Sequence, residues 1–201
     1  MGACRMTVVL GMTGSIGMGK STTAGFFRDA GVPVWDADAE VHRLYAAGGA
    51  AVAPLARLCP RALKDGAIDR NVLKDWISRD SNALKRIEEV VHPLVAASRE
   101  QFVAHHKKVG TPLILLDIPL LFESGAERLC DATLTVSAPP EEQRARVMDR
   151  PGMTEAHFQT ILAKQMPDTE KRARATHVIE TLSPEQTRRD VMQLITELTK
   201  G

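Results

Sequence analysis

At 201 residues, 44% hydrophobic and 25% charged, the chain has the composition of a globular protein able to bury a substantial core. A formal net charge of +1 excludes bulk coating of nucleic acid or an anionic membrane, so any anion site must be local. No apolar run approaches the ~20 residues of a membrane span. Cys4, Cys59 and Cys130 are odd in number and widely spaced, which points to inert thiols rather than disulfides or zinc. The N-terminus lacks the apolar core of a signal peptide, so a cytoplasmic protein is expected, with the residues ahead of Met6 as a start-site extension.

In chain order, the apolar run Thr7–Met12 reads as a strand. It leads into Gly14-Ser15-Ile16-Gly17-Met18-Gly19-Lys20-Ser21, which fits the phosphate-loop pattern G-x-x-x-x-G-K-[ST] at every fixed position. A triphosphate needs several converging donors, and backbone N–H groups converge only where the chain tolerates unusual dihedral angles and close approach, as glycines allow. The helix expected from Lys20 to Asp29, stopped by Gly31 and Pro33, aims its free N–H groups at the same anion. Lys20 is expected to reach the β- and γ-phosphates, and Ser21 to ligate Mg²⁺.

Val32–Trp35 reads as a second strand ending at Asp36-Ala37-Asp38. Alternation along an extended segment would aim both acids at a site beyond the strand's carboxyl end; capping of a following helix is the other reading. From Ala39 to Val109 the pattern is mostly helical, with breaks including the Lys64-Asp65-Gly66 turn, and this length predicts an inserted helical subdomain. Leu84, Ile87, Val91, Leu94 and Val95 form its expected buried stripe. His92-Pro93 is either functional or a helix kink. His105–Lys108 reads as a solvated helix end rather than a metal tract.

Leu113–Asp117 reads as a strand buried on both faces and ending in an acid, which either supports Mg²⁺ or its water or faces solvent at the strand end. The apolar link Ile118–Glu123 is either ligand-facing or packed beneath the insert. After a fourth strand at Ala132–Val136, a helix from Pro140 carries Arg144, Arg146 and Arg150 to a break at Pro151-Gly152, and a helix capped by Thr154 reaches Gln165. This unit is read either as a mobile lid bringing late cations or as a solvated basic face. His177–Ile179 is a fifth strand, and Ser183-Pro184-Glu185-Gln186 matches a capping box for a last helix running to about Thr199. The order fits an α/β phosphate-loop kinase plan.

The combination closely resembles the dephospho-CoA kinase family. It rests on Gly11–Thr22, Asp36-Ala37-Asp38 with His42, Asp65-Gly66 with Arg70, His92-Pro93-Leu94-Val95, Pro119-Leu120-Leu121-Phe122-Glu123, and Arg146 with Arg150 ahead of Gln165. The resemblance implies a phosphate-loop NTPase fold with a five-stranded parallel sheet ordered 2-3-1-4-5. Its parts would be a core at 1–38, 111–143 and 174–201, a CoA-binding helical insertion at about 39–110 and a lid at about 144–173. It further implies ATP and dephospho-CoA as substrates and Mg²⁺ as cofactor, with neither nucleic acid nor membrane as partner, in a monomer or weak homo-oligomer. Asp38 would be the base taking the 3′-hydroxyl proton, assisted by Lys20 and Arg150. ATP would lie on Gly14–Thr22 and Arg146, the acceptor on Thr13, Asp38, His42, Arg70, His92, Pro93, Leu120 and Leu121, and the metal on Ser21 and Asp117. Where relatives often carry Asn-Asn-Gly after the last strand, this chain has Thr181-Leu182-Ser183. A nucleoside monophosphate kinase would share the loop but not the combined motifs; a GTP switch would need an N-K-x-D, which is absent.

Overall fold

The computed structural model describes residues 6–200, so Cys4 and the expected start-site extension lie outside the described residues. In chain order the first elements are β1 (Val8–Thr13), α1 (Lys20–Asp29), β2 (Val34–Asp36), α2 (Ala37–Tyr45) and α3 (Val52–Leu58). Then come β3 (Leu63–Lys64), β4 (Ala67–Ile68), α4 (Arg70–Arg79) and the 27-residue α5 (Ala83–Val109). The remainder comprises β5 (Leu113–Asp117), β6 (Ala132–Ser137), α6 (Pro140–Met148), α7 (Glu155–Leu162), α8 (Asp168–Arg174), β7 (His177–Glu180) and α9 (Pro184–Thr199). They divide into two compact units, one running to Trp35 and resuming at His105, the other Asp36–Ala104.

The first unit is built on a five-stranded parallel sheet in the order β2-β5-β1-β6-β7, the expected order once β3 and β4 are set aside. Parallel neighbours need crossovers, and the central strands β1, β5 and β6 are buried on both faces apart from half-buried Val8, because helices cover them. Leu10, Met12, Leu115, Leu134 and Val136 meet Ala24 and Phe27 of α1 and Val191 and Leu194 of α9 in one core. Fully buried Phe27 alone contributes about 1.5–3 kcal/mol through its removal from water. The register sets Met12 beside Asp117 and Thr13 beside Thr135, so polar groups at the strands' carboxyl ends stand level.

The second unit has its own core of Leu44, Leu55, Ile68, Leu73, Ile87 and Val91. Three expectations are corrected in it. Leu84 is 47% exposed, because the buried stripe of α5 starts one residue earlier at Ala83 and continues at Ile87 and Val91. Within the stretch read as helical, β3 and β4 pair antiparallel, with Leu63 opposite Ile68 across Asp65 (φ 50°) and Gly66 (φ 78°). Paired positive φ values are what a tight two-residue hairpin demands. Third, the chain is extended only to Asp36. Asp38 is already in the first turn of α2, so alternation does not relate the two acids, and the Asp36 carboxylate caps that helix by accepting from the Ala39 N–H at 2.9 Å.

In the first unit α7 stops at Leu162, short of Gln165. The short α8, absent from the sequence reading, precedes β7. Ser183 caps α9 as expected, accepting from the Gln186 N–H. The Gln186 side chain does not complete the box, because it is held by Asp190 and Arg189.

Candidate active site

The loop from Gly14 to Gly19 ends in an α1 whose N-cap is Gly19, with no side-chain cap and no acid in the first turn. The first N–H groups of α1 are therefore left for an anion. Gly19 has φ 84°, and a Cβ there would also fall 2.9 Å from the Thr181 hydroxyl oxygen. At Gly17, φ is 80° and a Cβ would meet Val147 at 2.5 Å. Both positions therefore require glycine for conformation and for space.

Lys20 donates to the Asp117 carboxylate at 2.6 Å, with side chains 17% and 2% exposed. Pairing offsets the cost of burying Asp117 and holds the ammonium at the mouth of the loop. Ser21 and Thr22, in the first turn of α1, are exposed.

The loop backbone is itself held. The Ile16 N–H donates to Gln165 Oε1 at 3.1 Å, and its carbonyl accepts from Gln143 Nε2 at 2.8 Å. The Met18 carbonyl accepts from the Thr181 hydroxyl at 2.9 Å. Arg146 grips the same threonine twice, through Oγ1 at 3.0 Å and the carbonyl at 2.5 Å. Gly14 packs so closely that a Cβ would meet Val136 at 2.5 Å.

At the end of β1, Thr13 is fully buried and its hydroxyl donates to the Pro119 carbonyl at 2.8 Å. The Pro119–Glu123 link splits in two: Leu120 is 45% exposed, whereas Leu121 and Phe122 are buried. Glu123 pairs at 2.8 Å with Lys171, a lysine with no exposed side-chain surface, and also accepts from the Met166 N–H at 2.9 Å. Burial pushes the Glu123 carboxyl up, but the Lys171 ammonium and the Met166 N–H outweigh it and hold it below the ordinary value. Arg150 is exposed, and its guanidinium has no partner among the described residues.

In the second unit Asp38 is exposed in the first turn of α2, where a carboxylate suits the positive end of the helix dipole. His42 and Arg70 are brought together, with the guanidinium 2.7 Å from the His42 Nε2. His92 and Pro93 are exposed midway along α5.

A chain with this loop, sheet order and set of motifs can be placed among known proteins. The sequence pattern of the dephospho-CoA kinases matches residues 8–185. A curated dephospho-CoA kinase of Cereibacter sphaeroides is 62% identical over 189 residues, 94% of each chain. The chain belongs to the dephospho-CoA kinase family. A second family member, from Jannaschia sp., is 60% identical over 98% of this chain and the whole of its own. Among solved structures, TT1252 of Thermus thermophilus superposes with a TM-score of 0.82 at 37% identity, covering 98% of this chain and all of that one.

Within this family frame, sequence reading named Gly14–Ser21 and Arg146 but missed what holds them. The Thr181 hydroxyl joins Met18 to Arg146, accepting from the guanidinium and donating to the carbonyl. Gln143 and Lys171 carried no sequence signal beyond being polar residues in helices, and Glu123 and Gln165 were noted without a role. Their partners are distant in sequence: Lys171 is 48 positions from Glu123, and Gln165 is 149 from Ile16.

Proposed function

We infer that the chain transfers the γ-phosphoryl group of ATP to the ribose 3′-hydroxyl of dephospho-CoA, giving coenzyme A and ADP. The observation that carries this is the Gly14–Ser21 loop between β1 and α1, in a chain that aligns with dephospho-CoA kinases over nearly its whole length. The 3′-oxygen forms a bond to the γ-phosphorus, the bond to the β,γ-bridging oxygen breaks, and the hydroxyl proton passes to Asp38. The loop N–H groups and Lys20 hold the phosphates where charge develops, and Arg150, free to engage an anion, meets the transferring group. Arg146 supports the nucleotide through the Thr181 backbone it already grips.

In this reading His42, Arg70, His92 and Pro93 face the acceptor, as does exposed Leu120; Thr13 and Leu121 act from behind by fixing the loop. Residues 39–110 hold the CoA portion and 144–173 act as the lid.

The donor set suits Mg²⁺: one hydroxyl (Ser21), one carboxylate (Asp117), and no cluster of three His, Cys, Asp or Glu among the described residues. Mg²⁺ keeps several waters and is usually carried by phosphates plus one or two protein oxygens, so a closed cage is not needed. When bound, the ion neutralises charge on the β- and γ-phosphates. No helix among the described residues is long and apolar enough to cross a membrane. With a net charge of +1, the protein is proposed to work in the cytoplasm as a monomer or weak homo-oligomer.

The test is incubation of purified protein with ATP, Mg²⁺ and dephospho-CoA, with the product's new phosphate located by NMR. A 3′-phosphate is expected; no transfer, or a phosphate elsewhere, overturns the reading.

A further inference from the structure

Ile16 has both polar backbone groups occupied by glutamine side chains from distant elements. Its N–H goes to Gln165 at 3.1 Å, and its carbonyl takes the amide of Gln143, a residue only 7% exposed, at 2.8 Å. The peptide is thus fixed in rotation, and so is the direction of the loop that follows it. Gln165 is anchored in turn, because the next residue, Met166, donates its N–H to Glu123, which is paired with buried Lys171. Lys171 reaches the Pro119 carbonyl at 3.4 Å, the same oxygen that Thr13 holds at 2.8 Å. The contacts close a ring whose fourth side is the chain from Thr13 to Ile16. A ring containing the ion pair of buried Lys171 with Glu123 resists rotation at any one member.

We propose that Gln165 is a positioning residue for phosphoryl transfer. By holding the Ile16 N–H it aims the donors of Gly17–Ser21, and through Met166 and Glu123 it makes that aim depend on the seating of α8. Ile16 then serves the phosphates through its neighbours rather than through its own N–H. Donors aimed in advance act most strongly where charge develops, so their misdirection lowers turnover more than it weakens ATP binding. Gln165 and Gln143 act on one peptide, so their effects are coupled. The proposal rests on the transfer reaction inferred above.

The experiment compares Gln165→Leu, Gln143→Leu and the double variant, each close to glutamine in size but unable to hydrogen-bond. Turnover with dephospho-CoA is measured per ATP-binding site counted by calorimetry, and slow ATP hydrolysis without dephospho-CoA is measured beside it. The expected result is a loss of about tenfold in kcat for Gln165→Leu, with KM for ATP within about threefold. Hydrolysis should fall by a similar factor, and the double variant should be no worse than about threefold below the poorer single variant. Should Gln165→Leu not fold, Gln165→Met carries the same test. A kcat within twofold of the unsubstituted chain, a loss wholly in KM, or single-variant losses that multiply in the double would each overturn the proposal. Failure of the unsubstituted chain to use dephospho-CoA would instead overturn the acceptor, leaving hydrolysis to report on Gln165.

Discussion

The phosphate-loop end of the first unit and the exposed polar side chains of α2, α4 and α5 in the second hold their polar groups in opposite ways. Around the loop, the Ile16 peptide, the Met18 carbonyl, Lys20 and Arg146 each have a partner from another part of the chain. In the second unit Asp38, His42, Arg70 and His92 are all exposed, and the Arg70 guanidinium lies 2.7 Å from the His42 ring. A small, highly charged group must be met by donors already in place, since reorganising them during transfer would consume the gain. A large acceptor instead supplies its own orientation through many contacts, so its side chains can wait for it.

The largest effects should come from the one group on each side to which the proposed reaction gives a direct part, Asp38 and Lys20. Asp38→Asn keeps size and one acceptor oxygen but cannot take the proton, so kcat should fall by about 10² to 10⁴. ATP binding should be almost unchanged by calorimetry. A loss explained by weaker ATP binding would place Asp38 with the nucleotide and break the contrast. Lys20→Ala should cost about 10²- to 10³-fold in kcat, and it also removes the ammonium that pairs with the buried Asp117 carboxylate. Adding Asp117→Asn should recover stability and leave turnover low. Recovery of both would reduce Lys20 to a structural counter-ion.

How much of this was legible in the sequence follows the same division. The loop could be read residue by residue, because glycine, lysine and serine are each demanded by a local requirement: φ 84° at Gly19, a charge at Lys20, a hydroxyl at Ser21. Strand order followed from the family resemblance alone, whereas the burial of β5, complete at all five residues, was legible in its unbroken apolar run. Asp65-Gly66 was read as a break although the same dipeptide is a hairpin signal; two-residue strands gave too little alternation to notice. The position of Asp38 was misread as extended because capping by Asp36 starts α2 at once. Gln165, Thr181 and Lys171 were opaque for a different reason: each acts through a contact distant in sequence, and nothing local marks a glutamine that will meet a backbone N–H 149 positions away.

A smaller effect tests whether the rigid side depends on the ion pair that buried Lys171 makes with Glu123. Glu123→Gln preserves an acceptor for the Met166 N–H but leaves Lys171 buried without its charge partner, and should cost about 3 kcal/mol in urea unfolding. The carboxyl titrates below its ordinary value near 4.5, so its contribution is present above that pH and is lost as pH falls through the lower, folded value. The unsubstituted chain should therefore lose Tm on acidification more steeply than the variant. Parallel curves would mean that the pair contributes no pH-dependent stability.

The smallest effect separates the two neighbouring acids. Asp36 accepts from the Ala39 N–H at 2.9 Å as the cap of α2, whereas Asp38, two residues on, is exposed in the first turn. Asparagine caps a helix as well as aspartate does, and alanine cannot accept the bond. Asp36→Asn should thus be close to neutral in both stability and kcat, while Asp36→Ala should lose about 1 kcal/mol. Because Asp38 rides on the turn that this cap defines, Asp36→Ala should also lower kcat by a fewfold, and the asparagine variant should restore it. Urea unfolding and steady-state kinetics on the two variants check this. A drop in kcat for Asp36→Asn comparable with that for Asp38→Asn would mean that the charge of Asp36 takes part in the reaction and that capping is only half its role.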